Sequence, residues 1–263
     1  ANTGTYGIDI LVSYNNTITN CEIYNTGAVG INLDWQYNSD DHISLKSGNN
    51  RIVNNSVHNF SDRIRTLYGI GLRGTIDCVV ENNVVYNGPG TGMVVQGNNN
   101  IVRYNEIYAV HQEVADSGAI YLSSMNYTRR GNNISYNYIH DTPGHPDTTG
   151  WQLVGIYLDF VVSETTVKGN IIKNVPMGFQ NNGGRDNIFD NNIYVSQSVM
   201  GYWMNQVGFW TEVGGPGGYG TGVEGIYFNN PYSIVKNYTI IAHAGGLGEI
   251  TVGSTVNRCT NID

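Results

Sequence analysis

The sequence predicts an all-β parallel β-helix, a solenoid of about eight coils. Three observations carry that prediction: a composition hostile to helices, a recurring apolar-x-x-Asn-x-apolar signature, and a bare repeat of 22 residues. The 263 residues include 34 Gly and 19 Tyr, and about one residue in seven is Asn. Gly, Asn and β-branched residues all sit low on the helix scale. Forty per cent apolar residues in a chain of this length still supply a sizeable core. Lys plus Arg number 13 against 21 Asp plus Glu, a net charge of −8 that argues against nucleic acid or an anionic membrane as partner. No apolar run approaches the ~18 residues of a membrane span.

The signature aligns on Asn55, Asn83, Asn105, Asn137, Asn170 and Asn192, with Cys21 holding the position in the first copy. Ile18, Ile52, Val80, Val102, Ile134, Val167 and Phe189 stand three residues before it; Ile23, Val57, Val85, Ile107, Ile139, Ile172 and Tyr194 stand two after. Successive spacings are 34, 28, 22, 32, 33 and 22, so the bare coil is 22 residues. Such a coil holds two or three short strands and sharp turns, with no room for a helix. Copies stacked at ~4.8 Å per rung form parallel sheets around an elongated core. One Asn per rung at one corner is expected to form a hydrogen-bonded ladder, a structural role that accounts for nearly all the Asn.

A second signature precedes each ladder residue: Gly30-Ile-Asn-Leu-Asp34, Gly69-Ile-Gly-Leu-Arg73, Gly92-Met-Val-Val-Gln96, Ala119-Ile-Tyr-Leu-Ser123, Gly155-Ile-Tyr-Leu-Asp159 and Gly178-Phe-Gln-Asn-Asn182. Period-two strands of this kind put apolar residues inward and variable ones outward. Every insertion beyond 22 residues borders this strand, and solenoid insertions gather on the binding face. That sheet is therefore the expected floor of a groove. Its outward residues include Asp34, Arg73, Gln96, Tyr121, Tyr157 and Asn182. The expected walls carry Trp35, Asp40, Asp41 and His42; His111, Glu113 and Asp116; and His140, Asp141, His145, Asp147 and Trp151. Rings beside amides and carboxylates suit a polyhydroxylated ligand, an oligo- or polysaccharide.

Glycosidic cleavage needs two carboxylates at one site, ~5 Å apart for retention or ~6.5–9.5 Å for inversion. Asp34 and Asp159 lie four rungs apart, about 19 Å, which is too far. Asp116 enters the fifth rung and Asp159 ends the sixth-rung strand, so this pair is favoured, with Asp141 and Glu113 as substitutes. The competing role for Asp116, before Ser117-Gly118, is a turn residue. Asp34, Asp40 and Asp41 with Lys46 and Arg73 supply a different reading, a calcium-dependent lyase. The remaining histidines reproduce no zinc spacing, and Gly214-Gly215-Pro216-Gly217-Gly218 precedes no expected helix, so no other metal or cofactor is implied.

Cys21 and Cys78, about two rungs apart, are expected to be free thiols, and Cys259 completes no metal or disulfide pattern. Asn-x-Ser/Thr triplets at Asn15, Asn54, Asn59, Asn126, Asn133 and Asn237 follow from the Asn- and Thr-rich composition. The chain reads as one domain, with regular coils over 4–194, a long loop over 196–222 containing Trp203 and Trp210, and a terminal coil and strand over 223–263. It opens at Gly4 already inside a coil without a capping helix, which implies preceding sequence or another chain at that end.

Asp116-Ser-Gly-Ala-Ile-Tyr121, Asn133-Ile-Ser-Tyr-Asn-Tyr-Ile-His-Asp141, Gly155-Ile-Tyr-Leu-Asp159 and Gly183-Gly-Arg-Asp-Asn187 resemble the motif series of right-handed parallel β-helix proteins in the pectin-lyase-like superfamily. Within it they are most similar to the glycoside hydrolase branch of fucosidase and xylanase type. The resemblance runs from about Gly4 to Tyr194. It implies that the acid of the first motif and the first Asp of the third are the catalytic pair, which maps onto Asp116 and Asp159. Two departures stand out: Phe160 replaces a frequent second Asp, and the longer N-terminal region of relatives is missing. Arg185 in the fourth motif is either a turn residue paired with Asp186 or a substrate contact.

The leading expectation is thus a secreted hydrolase using Asp116 and Asp159, with substrate bound by Asp34, Trp35, Arg73, Gln96, His111, Tyr121, His140, His145, Tyr157, Asn182 and Arg185. A non-catalytic adhesin, spike or filament subunit, self-associating through its solenoid ends, is the alternative, and the calcium-dependent lyase is third.

Overall fold

The computed structural model describes residues 4–34, 47–124, 128–142, 153–182 and 184–196, and the backbone of 200–205, 225–228, 234–236, 239–244 and 247–252. These residues wind into a right-handed parallel β-helix of three sheets. Sheet I comprises Ile8–Leu11, Ile31–Asp34, Tyr68–Ile76, Thr91–Asn98, Ser117–Ser124, Leu153–Phe160 and Met177–Asn182, followed by Met200–Asn205 and Gly225–Phe228. Sheet II runs from Thr17–Thr19 to Ile234–Lys236, and sheet III from Glu22–Tyr24 to Thr239–Ala244. Leu247–Val252 then turns back antiparallel on Thr239–Ala244. Among the described residues no helix is long and apolar enough to cross a membrane.

As far as Ile188–Asp190 in sheet II and Ile171–Lys173 in sheet III, the strands have three residues, whose central side chain alone points inward. These are the two columns of apolar residues flanking each ladder position, from Ile18 to Phe189 and from Ile23 to Tyr194, and all are buried. Ile31, Ile70, Met93, Ile120, Ile156 and Phe179 of sheet I close the third side of the same core.

The corner between sheets II and III takes two residues, a left-handed one followed by the ladder residue. Asn20, Asn54, Asn82, Tyr104, Tyr136, Gly169 and Asn191 all have φ between 54° and 66°. Asn tolerates this region because its short side chain bonds locally. Each following Asn donates both its backbone N–H and its Nδ2 to the Oδ1 of the next rung; for Asn105 to Asn137 both distances are 3.0 Å. Its Nδ2 also donates to a buried carbonyl of the rung below, Val80 at 3.0 Å. One amide thus satisfies groups that the corner strands away from water, each worth roughly 1–3 kcal/mol if left unpaired.

A second ladder at the corner between sheets I and II was not evident in the repeat. Asn16, Asn50, Cys78, Asn100, Asn132, Thr165 and Asn187 occupy it, and the Asn100 N–H donates to Asn132 Oδ1 at 3.1 Å. Its signal was present as an Asn two residues before the inward residue of each sheet II strand, but Cys78 and Thr165 interrupt it. Cys21, Cys78 and Thr165 keep half of the Asn chemistry: each donates to the carbonyl two residues upstream, as Asn55 does. Both described cysteines are free thiols, at different corners, and burial pushes the Cys78 thiol up. Cys259 lies outside the described residues.

The segment expected to be loop over 196–222 instead contributes a strand, Met200–Asn205, to sheet I. It carries no ladder Asn, so the repeat did not reveal it. Two sheet I strands then precede the next strand of sheet II, and the regular winding ends there.

Candidate active site

The outward residues of sheet I form two rows across the rungs. One row runs Asn32, Gly71, Val94, Tyr121, Tyr157 and Gln180; the other runs Asp34, Arg73, Gln96, then Ser123, Asp159 and Asn182. Parallel register puts each residue one rung from the next, so adjacent side chains either bond or pack. Gln96 donates to Ser123 Oγ at 2.9 Å.

Asp159 is the centre of the second row. Only 5% of it is exposed, and it accepts from the Tyr121 hydroxyl at 2.6 Å, Asn182 Nδ2 at 2.8 Å and the Phe160 N–H at 2.8 Å. All three partners donate, so the carboxylate acts purely as an acceptor. Phe160 reaches this position at φ 58°, a region costly for an aromatic residue, by roughly 1–3 kcal/mol. The strain falls on the residue that shapes the carboxylate's pocket. Tyr121 and Tyr157 pack edge to face at 5.3 Å, and Asn182 also reaches the Tyr157 hydroxyl at 3.4 Å. Burial, then the charge of Asp159, pushes both phenols far up, which keeps them hydrogen donors.

Asp116 enters the same neighbourhood from the insertion before Ser117–Ser124. Its backbone is left-handed at φ 55°, the turn conformation expected of an Asp at that spot. The residue is exposed as a whole, yet its carboxyl is raised above the usual range, first by partial dehydration and then by the charge of Asp159. Both tyrosines also feel the two carboxylates together. One carboxyl inclined to keep its proton and one built only to accept are thus set around a pair of phenols.

The substitutes lie elsewhere. Glu113 is clamped by Arg65, through Nε at 2.7 Å and through Nη2. Asp141 sits at the exit of sheet III, bonded to His140 Nδ1 at 2.8 Å and Asn174 Nδ2 at 2.7 Å, and these bonds hold its carboxyl below the usual range. His140 does not line the groove. It stacks on Tyr108 and Tyr138 on the outer face of sheet III, because the outward position of that short strand points away from sheet I. His111 is also not a groove wall: its ring is wholly buried under the insertion that carries Asp116, neither ring nitrogen meets hydrogen-bond geometry, and burial holds it below the usual imidazole range. Arg185 lies at the corner between sheets I and II, with Nε bonded to Asp186 at 2.8 Å.

Asp34 and Arg73 occupy the far end of the row, paired at 3.4 Å. Tyr68, absent from the expected set, fills this end. Its ring lies over Gly71, where any Cβ would stand 2.1 Å from a ring carbon, and its hydroxyl donates to Asn32 at 3.1 Å. Burial pushes its phenol up to about 12. Gly71 was the available signal, since a gap in an otherwise side-chain-bearing row needs an occupant. Trp35, His145, Asp40, Asp41, His42, Lys46, Asp147 and Trp151 lie outside the described residues.

The sequence matches the family described as "Right handed beta helix region" over residues 1–107 and again over 36–196. The chain belongs to that family. No curated protein matches it. Among solved structures, this β-helix is similar to the A-module of the mannuronan C-5 epimerase AlgE6 from Azotobacter vinelandii, at 15% identity and a TM-score of 0.36, over 90% of this chain and 58% of that one. The β-helix therefore spans less than two thirds of that protein's length, and the reaction has to be argued from the residues of the groove.

Proposed function

We propose that this β-helix is a secreted, carbohydrate-active enzyme that hydrolyses glycosidic bonds of an oligo- or polysaccharide, with Asp116 as general acid and Asp159 as nucleophile or base. The observation that carries the reading is the unlike treatment of the two carboxyls. A carboxyl lifted by burial and by a neighbouring carboxylate, beside a carboxylate held by three donors, can supply the acid and the acceptor of one site. Asp116, in its protonated form, hands its proton to the leaving-group oxygen. Asp159, fixed by Tyr121, Asn182 and the Phe160 N–H, attacks the anomeric carbon or takes the proton of the attacking water. Tyr157 and Tyr121 give the sugar an apolar floor with hydroxyls at its edge, and Gln96, Ser123 and Asn182 supply hydroxyl partners along the row.

The test is turnover on a panel of aryl glycosides and polysaccharides. Asp159→Asn is expected to lower kcat by about a thousandfold or more with the melting temperature retained. Asp116→Asn is expected to do the same on natural linkages but to recover activity on a dinitrophenyl glycoside, whose leaving group needs no proton. Unchanged turnover in Asp159→Asn rejects the reading.

A further inference from the structure

On the flank of the solenoid, away from the carboxylates, a cavity of about 550 Å³ opens at the exit of sheet III. Its floor is a third amide column. Asn59 Nδ2 donates to Asn25 Oδ1 at 3.2 Å, Asn87 Nδ2 donates to Asn59 Oδ1, and Gln112 Nε2 donates to Asn87 Oδ1 at 3.1 Å. Unlike the two buried ladders, this one faces solvent: Asn25, Asn87 and Gln112 are exposed and Asn59 is half-buried. It also does nothing for the core, since none of these side chains caps a buried carbonyl of the rung below. The wall is the insertion carrying Asp62 and Arg65.

We propose that this trough is a second carbohydrate-binding site, one that takes two to three units of a neutral glycan laid along the solenoid axis. Four facts favour that occupant. The volume lies within the ~300–1,000 Å³ of ligand pockets. Asn25, Asn59 and Asn87 all hold φ near 50° (53°, 50° and 53°) and are tied to one another, so little side-chain freedom is lost on binding. Asn25, Asn59 and Asn87 each keep a second Nδ2 hydrogen, while Gln112 spends both of its hydrogens on Asn87 and the Ala109 carbonyl and keeps its Oε1, so donors recur at the rung spacing of about 4.8 Å with an acceptor at the end. That spacing is close to one pyranose unit of an extended glycan, whereas an extended peptide advances ~3.3 Å per residue and falls out of step. The charge balance selects a neutral chain. Arg65 is matched by Glu113 and by Asp62 at 3.8 Å, leaving two carboxylates around one guanidinium to repel a uronate.

The site is independent of the proposed hydrolysis, so Asp159→Asn full-length protein is the right material. Its 1H–15N spectrum is titrated with cellotriose, mannotriose and trigalacturonate while the side-chain amide signals of Asn25, Asn59 and Asn87 are followed. A neutral trisaccharide is expected to shift these signals at millimolar concentration, with trigalacturonate about tenfold or more weaker. Asn59→Gly, which keeps the left-handed corner, is expected to weaken binding by about tenfold, and Gln112→Ala serves if that variant does not fold. Silence of all three amides up to ~10 mM of each neutral probe, or shifts confined to Tyr121 and Asn182, overturns the proposal. Trough binding without any hydrolysis by wild-type protein would remove the catalytic reading alone.

Discussion

The outer faces of sheets I and III are built from the same ingredients on the same rungs, and they pack in opposite ways. On sheet III the outward residues Tyr24, His58, Tyr86, Tyr108 and His140 stack face to face, with centroids 5.3, 4.7, 4.9 and 5.0 Å apart and ring planes within 17° of parallel. Rings on every rung satisfy one another and show only their edges. On sheet I the comparable row grows from Gly71 to Val94 to Tyr121, and the neighbouring rings within it, Tyr121 and Tyr157, meet at 62° instead of stacking. The tilt frees the Tyr121 hydroxyl to serve Asp159 in the next row. For outward rings on this solenoid, repetition closes the surface and irregularity opens it.

Three changes would break or sharpen this contrast. Tyr121→Phe removes a hydrogen bond to a buried charged group, and is expected to lower stability by about 1.5–3 kcal/mol and kcat/KM by about 10- to 100-fold. Full activity would mean that the tilted ring has no part in the chemistry. Tyr86→Leu breaks the stack of sheet III at its centre and is expected to cost ~0.5–1.5 kcal/mol per lost ring pair in urea unfolding, with turnover untouched. An effect on kcat would deny that the two faces are independent. The smallest effect concerns pH. Dehydration and the Asp159 charge lift the Asp116 carboxyl above its unfolded value, so the native state keeps that proton to higher pH than the unfolded chain. Its contribution to stability is therefore lost as pH rises through the lifted value. Asp116→Asn cannot ionise and is expected to flatten that fall; superimposable curves of melting temperature against pH would show that the site strains nothing.

The sequence made the solenoid legible because its rule is local and repeated. An Asn with apolar residues three before and two after marks a corner and two inward columns, and every such column is buried in the structure. The two rows carrying Tyr121 with Tyr157 and Asp159 with Asn182 were legible for the same reason, since register follows from the repeat, and Asp116 stands at the entry to the strand of Tyr121. What stayed hidden depends on contacts between rungs. Nothing local to His111 says that its insertion folds over the ring, and nothing local to Tyr68 says that it lies on Gly71. His140 was misplaced because insertion length was used to assign walls, whereas strand parity sends that side chain outward from sheet III. Asn187 and its column were hidden by two substitutions, Cys78 and Thr165, that mimic only part of an amide.

The ladder of Asn55 to Asn192 has a direction: every rung hands its hydrogens to the rung that follows. Each coil thus carries its own plug and socket, and a duplicated or deleted stretch of 22 residues would still join its neighbours correctly. Lengthening or shortening by a whole coil before Ile101 or after Ile188 leaves the spacing of Asp116 and Asp159 unchanged, though before Ile101 it alters the length of the amide trough. A coil inserted between Asp116 and Asp159 would separate them. The geometry therefore divides one uniform-looking repeat into coils that lineages are free to count differently and a short block whose number is fixed.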